Sequence, residues 1–131
     1  MFRIFLALLL LLPLPVLAND QKNYLVPLQE IRVVDGDTVR ITGLGKIRLL
    51  GFDTPEMRGR CSYESQLAAQ ATNRLKELLR NSDQIEFTTQ NRIDRYGRLL
   101  GSIYVDGLNV GQILISERLA REYRGRRLPW C

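Results

Sequence analysis

The 131-residue chain has no histidine. That absence removes imidazole chemistry: there is no Ser-His-Asp triad, no Cys-His dyad and no His-ligated zinc. Cysteine is scarce, with two residues, and two thiols without imidazole do not make a usual structural zinc site. Any metal here is a hard cation held by oxygen ligands. Any general base is a carboxylate, a lysine or a tyrosine. No internal repeat, low-complexity segment or linker interrupts the sequence. A balance of 45% hydrophobic and 25% charged residues is ordinary for a globular domain and excludes a disordered chain. The length allows one domain. The net charge of +5 suits a polyanionic partner such as nucleic acid, an acidic glycan or an anionic membrane.

One long apolar run is present, and it lies at the N-terminus. Arg3 is followed by an uncharged, leucine-rich stretch from Ile4 to Ala18. The stretch is shorter than the roughly 20 residues of a comfortable membrane span. Pro13 and Pro15 break it, and Val16 and Ala18 occupy the small positions read by a signal peptidase. Residues 1–18 are expected to be a cleaved signal peptide, with an uncleaved anchor as the alternative. The remaining domain, residues 19–131, is then secreted or periplasmic, monomeric and free of the membrane. In such an oxidising compartment Cys61 and Cys131 read as a disulfide, with two free thiols as the alternative.

Along the domain, Tyr24 to Val34 reads as one long strand or two short ones, with Pro27 marking an edge. Asp35-Gly36-Asp37 is a turn, residues 38–41 a second strand and residues 46–50 a third. Residues 51–62 read as a loop. The spacing of Leu67, Ala71, Leu75 and Leu78 predicts a helix from Glu64 to Leu79, with that set facing the core and Ser62 as N-cap. Residues 84–89 form a fourth strand, 90–98 a basic loop and 99–105 a fifth strand. Asp106-Gly107 is a turn, and Asn109 caps a second helix with Val110, Ile113, Leu114 and Ala120 on its apolar side. Three strands, a helix, two strands and a helix match a mainly β, α+β fold: a five-stranded OB barrel.

Three segments hold the chemistry. Asp35 and Asp37 flank one turn, Asp53 and Glu56 follow the strand containing Arg48, and Asp94-Arg95-Tyr96-Gly97-Arg98 precedes the fifth strand. Asp37 and Asp53 could share a hard divalent cation with a backbone carbonyl. Arg48 and Arg98 could fork onto a phosphate.

Val-Asp-Gly-Asp-Thr at 34–38, Arg-Leu-Leu-Gly-Phe-Asp-Thr-Pro-Glu at 48–56 and Asp-Arg-Tyr-Gly-Arg at 94–98 together resemble the staphylococcal nuclease (thermonuclease) family. A weaker match runs from Asp-Gly-Leu-Asn-Val at 106–110. The resemblance implies Ca2+ held by Asp37, Asp53 and the Thr54 carbonyl, with Asp35 shaping the site from behind. It implies Glu56 as general base, Arg48 and Arg98 as the pair on the scissile phosphate, and Tyr96 and Tyr123 as nucleotide contacts. The implied activity is hydrolysis of DNA and RNA, preferably single-stranded, leaving 3′-phosphate ends. A nuclease-like module that binds nucleic acid without cutting is the alternative. A secreted barrel that binds an acidic glycan is a third reading, resting on charge and fold alone. The family's founding member carries a third helix, for which residues 124–131 leave no room. A Cys61–Cys131 bridge could tie that tail down, with Trp130 covering apolar surface in the helix's place. The basic run from Arg121 to Arg127 reads as a solvated tail, with nucleic-acid contact as the alternative.

Overall fold

The computed structural model describes residues 11–16 and 20–131. Residues 11–16 are exposed and without regular structure, and the expected cleavage point after Ala18 lies outside the described residues. The chain forms β1 (Lys22–Leu25), β2 (Ile31–Asp35), β3 (Thr38–Ile41), β4 (Gly45–Leu49), β5 (Phe52–Asp53) and helix α1 (Ser62–Arg80). It continues through β6 (Ile85–Ile93), β7 (Leu99–Val105), β8 (Leu108–Asn109), helix α2 (Val110–Ser116) and β9 (Arg121–Glu122).

The expected α+β class with two helices is what the described residues form. The main sheet runs in the order β1-β6-β7-β4-β3-β2, with β8 added to β7. All its pairings are antiparallel except β4 with β7. The sheet therefore has more than the five strands expected, and among the described residues its two end strands do not pair with each other, so no closed barrel is seen there. It is nonetheless curled. Residues 26–30 join β1 to β2, the two ends of the strand order. That link reaches about 20 Å at most, whereas six flat strands would set the ends about 24 Å apart. A three-residue helical turn, Leu28–Glu30, shortens the link further.

The concave side is filled by Val39, Ile47, Leu49, Phe52, Phe87 and Ile103, with Leu75 and Leu79 from α1 and Val110 and Leu114 from α2, all essentially buried. Alternation along β3, β4 and β7 delivers these residues to one face.

The stretch from Tyr24 forms the two short strands, the second of its two expected readings, divided where Pro27 offers no N–H to a ladder. Several other local expectations change. The basic loop is shorter than expected, because β6 continues to Ile93. A bulge between Thr89 and Ile93 permits this: the Thr89 hydroxyl donates to the Leu100 carbonyl at 2.7 Å and accepts from the Asn91 amide at 3.1 Å. The segment 51–62 is not all loop, since β5 pairs with β9. Helix α1 starts earlier, with Cys61 as the N-cap residue and Ser62 inside the first turn. Its buried stripe is Glu64, Ala68, Ala71, Thr72, Leu75 and Leu79, while Leu67 and Leu78 lie half-exposed beside it. The small residues of that stripe let the helix approach the β2–β3 turn, which a leucine at the seam would prevent.

Asn109 caps α2 as expected, accepting from the amides of Gly111 at 2.8 Å and Gln112 at 3.3 Å. The helix stops before Ala120. Leu119 N–H bonds the Leu114 carbonyl at 2.9 Å, Arg118 N–H bonds the Ile115 carbonyl at 3.0 Å, and Arg118 takes a left-handed φ of 62°. This Schellman ending turns the chain back into β9, alongside β5.

Candidate active site

The carboxylates are placed by three short pieces of backbone. In the β2–β3 turn, the Asp37 amide donates to Asp35 Oδ1 at 3.0 Å, a side-chain-closed turn. Gly36 allows this turn to sit against α1. A Cβ at that position would lie 2.8 Å from Thr54 Cγ2 and 3.0 Å from Ala71 Cβ. Asp37 and Asp53 are both buried. The Thr38 hydroxyl donates to Asp37 Oδ1 at 3.1 Å, and the Thr54 amide donates to Oδ2 at 3.1 Å. Thus the residue that follows β5 is bonded directly to the β2–β3 turn through a carboxylate.

Arg48 extends from β4 between them. Its Nη2 lies 3.4 Å from Asp37 Oδ2 and 3.5 Å from Asp53 Oδ1. Its Nη1 donates to the carbonyls of Leu49 at 2.7 Å and Phe52 at 3.1 Å. The guanidinium is therefore held rigidly against the carboxylates, and it also faces the Tyr123 ring at 5.9 Å. Tyr123 is positioned by its own amide, which donates to the Gly51 carbonyl at 3.1 Å.

Arg98 approaches from the β6–β7 hairpin. Asp94 Oδ1 accepts the amides of Tyr96 and Arg98, both at 2.9 Å, and Asp94 Oδ2 accepts Arg98 Nε at 2.8 Å. The Arg95 and Arg98 guanidinium groups lie 4.9 and 5.3 Å from the centre of the exposed Tyr96 ring. The Arg98 terminal nitrogens make no hydrogen bond or ion pair among the described residues.

One cleft of about 820 Å³ collects Asp35, Asp37, Arg48, Asp53, Glu56, Tyr96, Arg98 and Tyr123. Thr54 lies behind it, buried. Cys61 and Cys131 stand apart from the cleft and form a disulfide with Cα atoms 6.0 Å apart.

The acids repel one another. Burial pushes Asp35 up to about 6, and the neighbouring Asp37 charge adds to the rise. Burial also raises Asp53. The Arg127 guanidinium opposes that rise, Asp37 reinforces it and Arg48 opposes it. At Asp94 burial acts upward, but the Arg98 amide and guanidinium and the Tyr96 amide outweigh it and hold the carboxyl below its ordinary range.

The donor set suits a hard cation. It consists of two buried carboxylates and the Thr54 carbonyl, and guanidinium groups already gather on them. No group of three or more His, Cys, Asp or Glu side chains is arranged to hold a metal among the described residues. A bound cation would therefore take few protein ligands and complete its shell with water, as calcium and magnesium tolerate.

Two residues here were not singled out in the sequence. Glu64, buried in the first turn of α1, accepts the Arg60 amide at 2.8 Å and the Glu56 amide at a long 3.5 Å. It fixes the loop bearing Glu56, although in sequence it reads only as a charge favourable to the helix N-terminus. Arg127 places Nε 3.3 Å from Asp53 Oδ2, donates from Nη2 to the Thr54 carbonyl at 3.1 Å and from Nη1 to Glu56 Oε1. Nothing separates it in sequence from the other arginines of a basic tail. Trp130, expected to cover apolar surface, is half-buried and stacks on the Arg121 guanidinium at 3.8 Å.

A family model described as Staphylococcal nuclease homologue matches residues 46–128. An SPbeta prophage-derived endonuclease, YokF, of Bacillus subtilis is 43% identical over 94 residues, covering 69% of this chain and 32% of that protein. Endonuclease YncB of the same organism is 42% identical over 108 residues, covering 79% of this chain and 51% of its own. The thermonuclease of Staphylococcus hyicus is 34% identical over 109 residues, covering 80% of this chain and 58% of its own. The chain thus spans from about a third to somewhat over half of these relatives.

Proposed function

This chain belongs to the family of staphylococcal nuclease homologues, and from that premise we propose that it is a calcium-dependent nuclease. Its substrates are DNA and RNA, preferably single-stranded, and its products end in 3′-phosphates. The observation that carries this reading is the meeting of Asp37, Asp53, Arg48, Arg98 and Glu56 in one cleft from four separate segments.

Asp37, Asp53 and the Thr54 carbonyl would hold the calcium ion, with Asp35 buttressing the turn that presents Asp37. Bound calcium supplies Lewis-acid polarisation of a phosphoryl oxygen and helps position the attacking water. Glu56, half-exposed at the cleft rim, accepts that water's proton as the oxygen attacks phosphorus. Arg48 and Arg98 match the charge that develops on the five-coordinate phosphorus. Arg48 is held in place before substrate arrives by its bonds to two carbonyls, so little reorganisation accompanies the step. In-line displacement expels the 5′ oxygen and leaves the phosphate on the 3′ side. Tyr96, presented on an exposed hairpin beside two arginines, offers a stacking face to an unpaired base.

Export fits the same reading: residues 1–18 are proposed as a cleaved signal peptide, and the folded domain as a monomer. No helix among the described residues is long and apolar enough to cross a membrane.

The test is incubation with denatured DNA in calcium or in chelator, followed by end labelling. Cutting abolished by the chelator, with 5′-hydroxyl ends phosphorylated directly by a kinase, supports the proposal. Binding without cutting in calcium returns the chain to a nucleic-acid-binding module. Cutting that survives the chelator removes the metal assignment.

A further inference from the structure

The C-terminal tail is anchored at several points. Arg121 in β9 donates to the Pro129 carbonyl at 2.8 Å and stacks on Trp130 at 3.8 Å. Cys131 is bonded to Cys61, the residue before α1. Arg127 lies just before this anchored stretch, and its guanidinium engages the Asp53 carboxylate, the Thr54 carbonyl and the Glu56 carboxylate. All three of its nitrogens are thereby committed to the segment 53–56.

Those groups are the ones assigned above to calcium and to the proton acceptor, so the inference rests on that reading. A guanidinium and a divalent cation carry like charge and seek the same oxygens. They cannot both sit on Asp53 and the Thr54 carbonyl without strong repulsion in a partly buried cleft. Without a cation, the cleft would leave the buried acids to Arg48 alone. Arg127 adds a second positive charge on the side that Arg48 does not reach: Arg48 faces Asp53 Oδ1, and Arg127 faces Oδ2.

We propose that Arg127 is a positioning residue that acts as a displaceable placeholder for the metal. In metal-free protein it holds Asp53, the Thr54 carbonyl and Glu56 in place, and calcium binding expels it. The disulfide sets the effective concentration of this internal competitor. Apparent metal affinity falls in proportion to the fraction of molecules with the site open. If Arg127 is seated nine times in ten, its removal tightens calcium binding about tenfold. Cutting the Cys61–Cys131 link lowers the competitor's local concentration and tightens binding by a smaller factor. A merely structural arginine would show the reverse, because loosening the site weakens the metal.

The experiment is calorimetric titration of the whole domain with calcium alone. The proteins compared are wild type, Arg127→Gln, Arg126→Gln and Cys131→Ser. Arg126→Gln removes the same charge from the neighbouring, exposed position. The expected result is about tenfold tighter binding in Arg127→Gln, a smaller gain in Cys131→Ser and no gain in Arg126→Gln. Equal or weaker binding in Arg127→Gln overturns the placeholder, as does an equal gain in Arg126→Gln, which would trace to net charge. A flat titration in every protein, wild type included, removes the calcium reading and this proposal with it. That result is distinct from measurable but unchanged affinity, which removes the placeholder alone.

Discussion

Replacing Cys131 by serine tests how much of the fold's stability comes from fastening its tail. The bridge joins residues 70 apart in sequence. Loop-closure entropy for such a separation makes the unfolded chain less favourable by about 4 kcal/mol. Part of that is returned in the reduced protein, because freed tail residues regain about 1 kcal/mol or more each in backbone entropy. The contacts of Arg121 with Pro129 and Trp130 oppose that fraying. The net loss should be about 2–4 kcal/mol, a large share of the 5–15 kcal/mol typical of a domain. At about 4 °C per kcal/mol, the melting temperature should fall by about 8–16 °C. Urea unfolding should also show a larger m-value, since the unlinked denatured chain is more expanded. The decisive comparison is among Cys61→Ser, Cys131→Ser and the double variant. Either single change already opens the loop, so the double variant should be no less stable than the singles. A fall below about 3 °C, or a double variant that loses the sum of both, would refute a stabilisation through linkage and assign it to packing of each sulfur.

Arg48→Lys should lose about 10²–10³ in turnover, nearly as much as Arg48→Ala, because one ammonium cannot serve two carbonyls and two carboxylates at once; near-normal kcat for the lysine variant would make this arginine structural. The Asp94 carboxyl is held below its ordinary range, so its contribution to the 94–98 loop is complete above the unfolded-state carboxylate value and is lost as pH falls through the folded-state one. Amide exchange at Tyr96 and Arg98 should therefore be slow at neutral pH and accelerate selectively in acid, and Asp94→Asn should abolish that selectivity. Arg118 occupies the left-handed position that ends α2, so Arg118→Gly should stabilise the domain by up to about 1 kcal/mol in urea titration; a loss would show that its side chain does more than endure the strain.

Much of the site was legible because it is local. Asp35-Gly36-Asp37 closes a turn on itself, Asp94 organises the four residues after it, and Asn109 caps its own helix. Such bonds span few residues, so residue type and spacing are enough to imply them. The alternation of β3 and β7 likewise follows from period two. The seam of α1 was misplaced because amphipathicity marks a broad face, while the line of closest approach depends on what the helix meets. Here it meets the β2–β3 turn and its glycine, which favour alanine over leucine. The pairing of β5 with β9 was invisible, since two-residue strands have no periodicity. Sheet curvature depends on which edges the 26–30 link must span, a property of topology and not of any segment. Glu64 and Arg127 were likewise beyond the sequence. One reads as a helix-terminus charge and the other as one of several solvated arginines, until the fold sets the first under Glu56 and the second on Asp53. Side-chain chemistry and short-range spacing were thus determined by the sequence alone. Which charges face one another across the cleft was decided by tertiary structure, because electrostatic energy depends on distance and burial, and neither is a function of position along the chain.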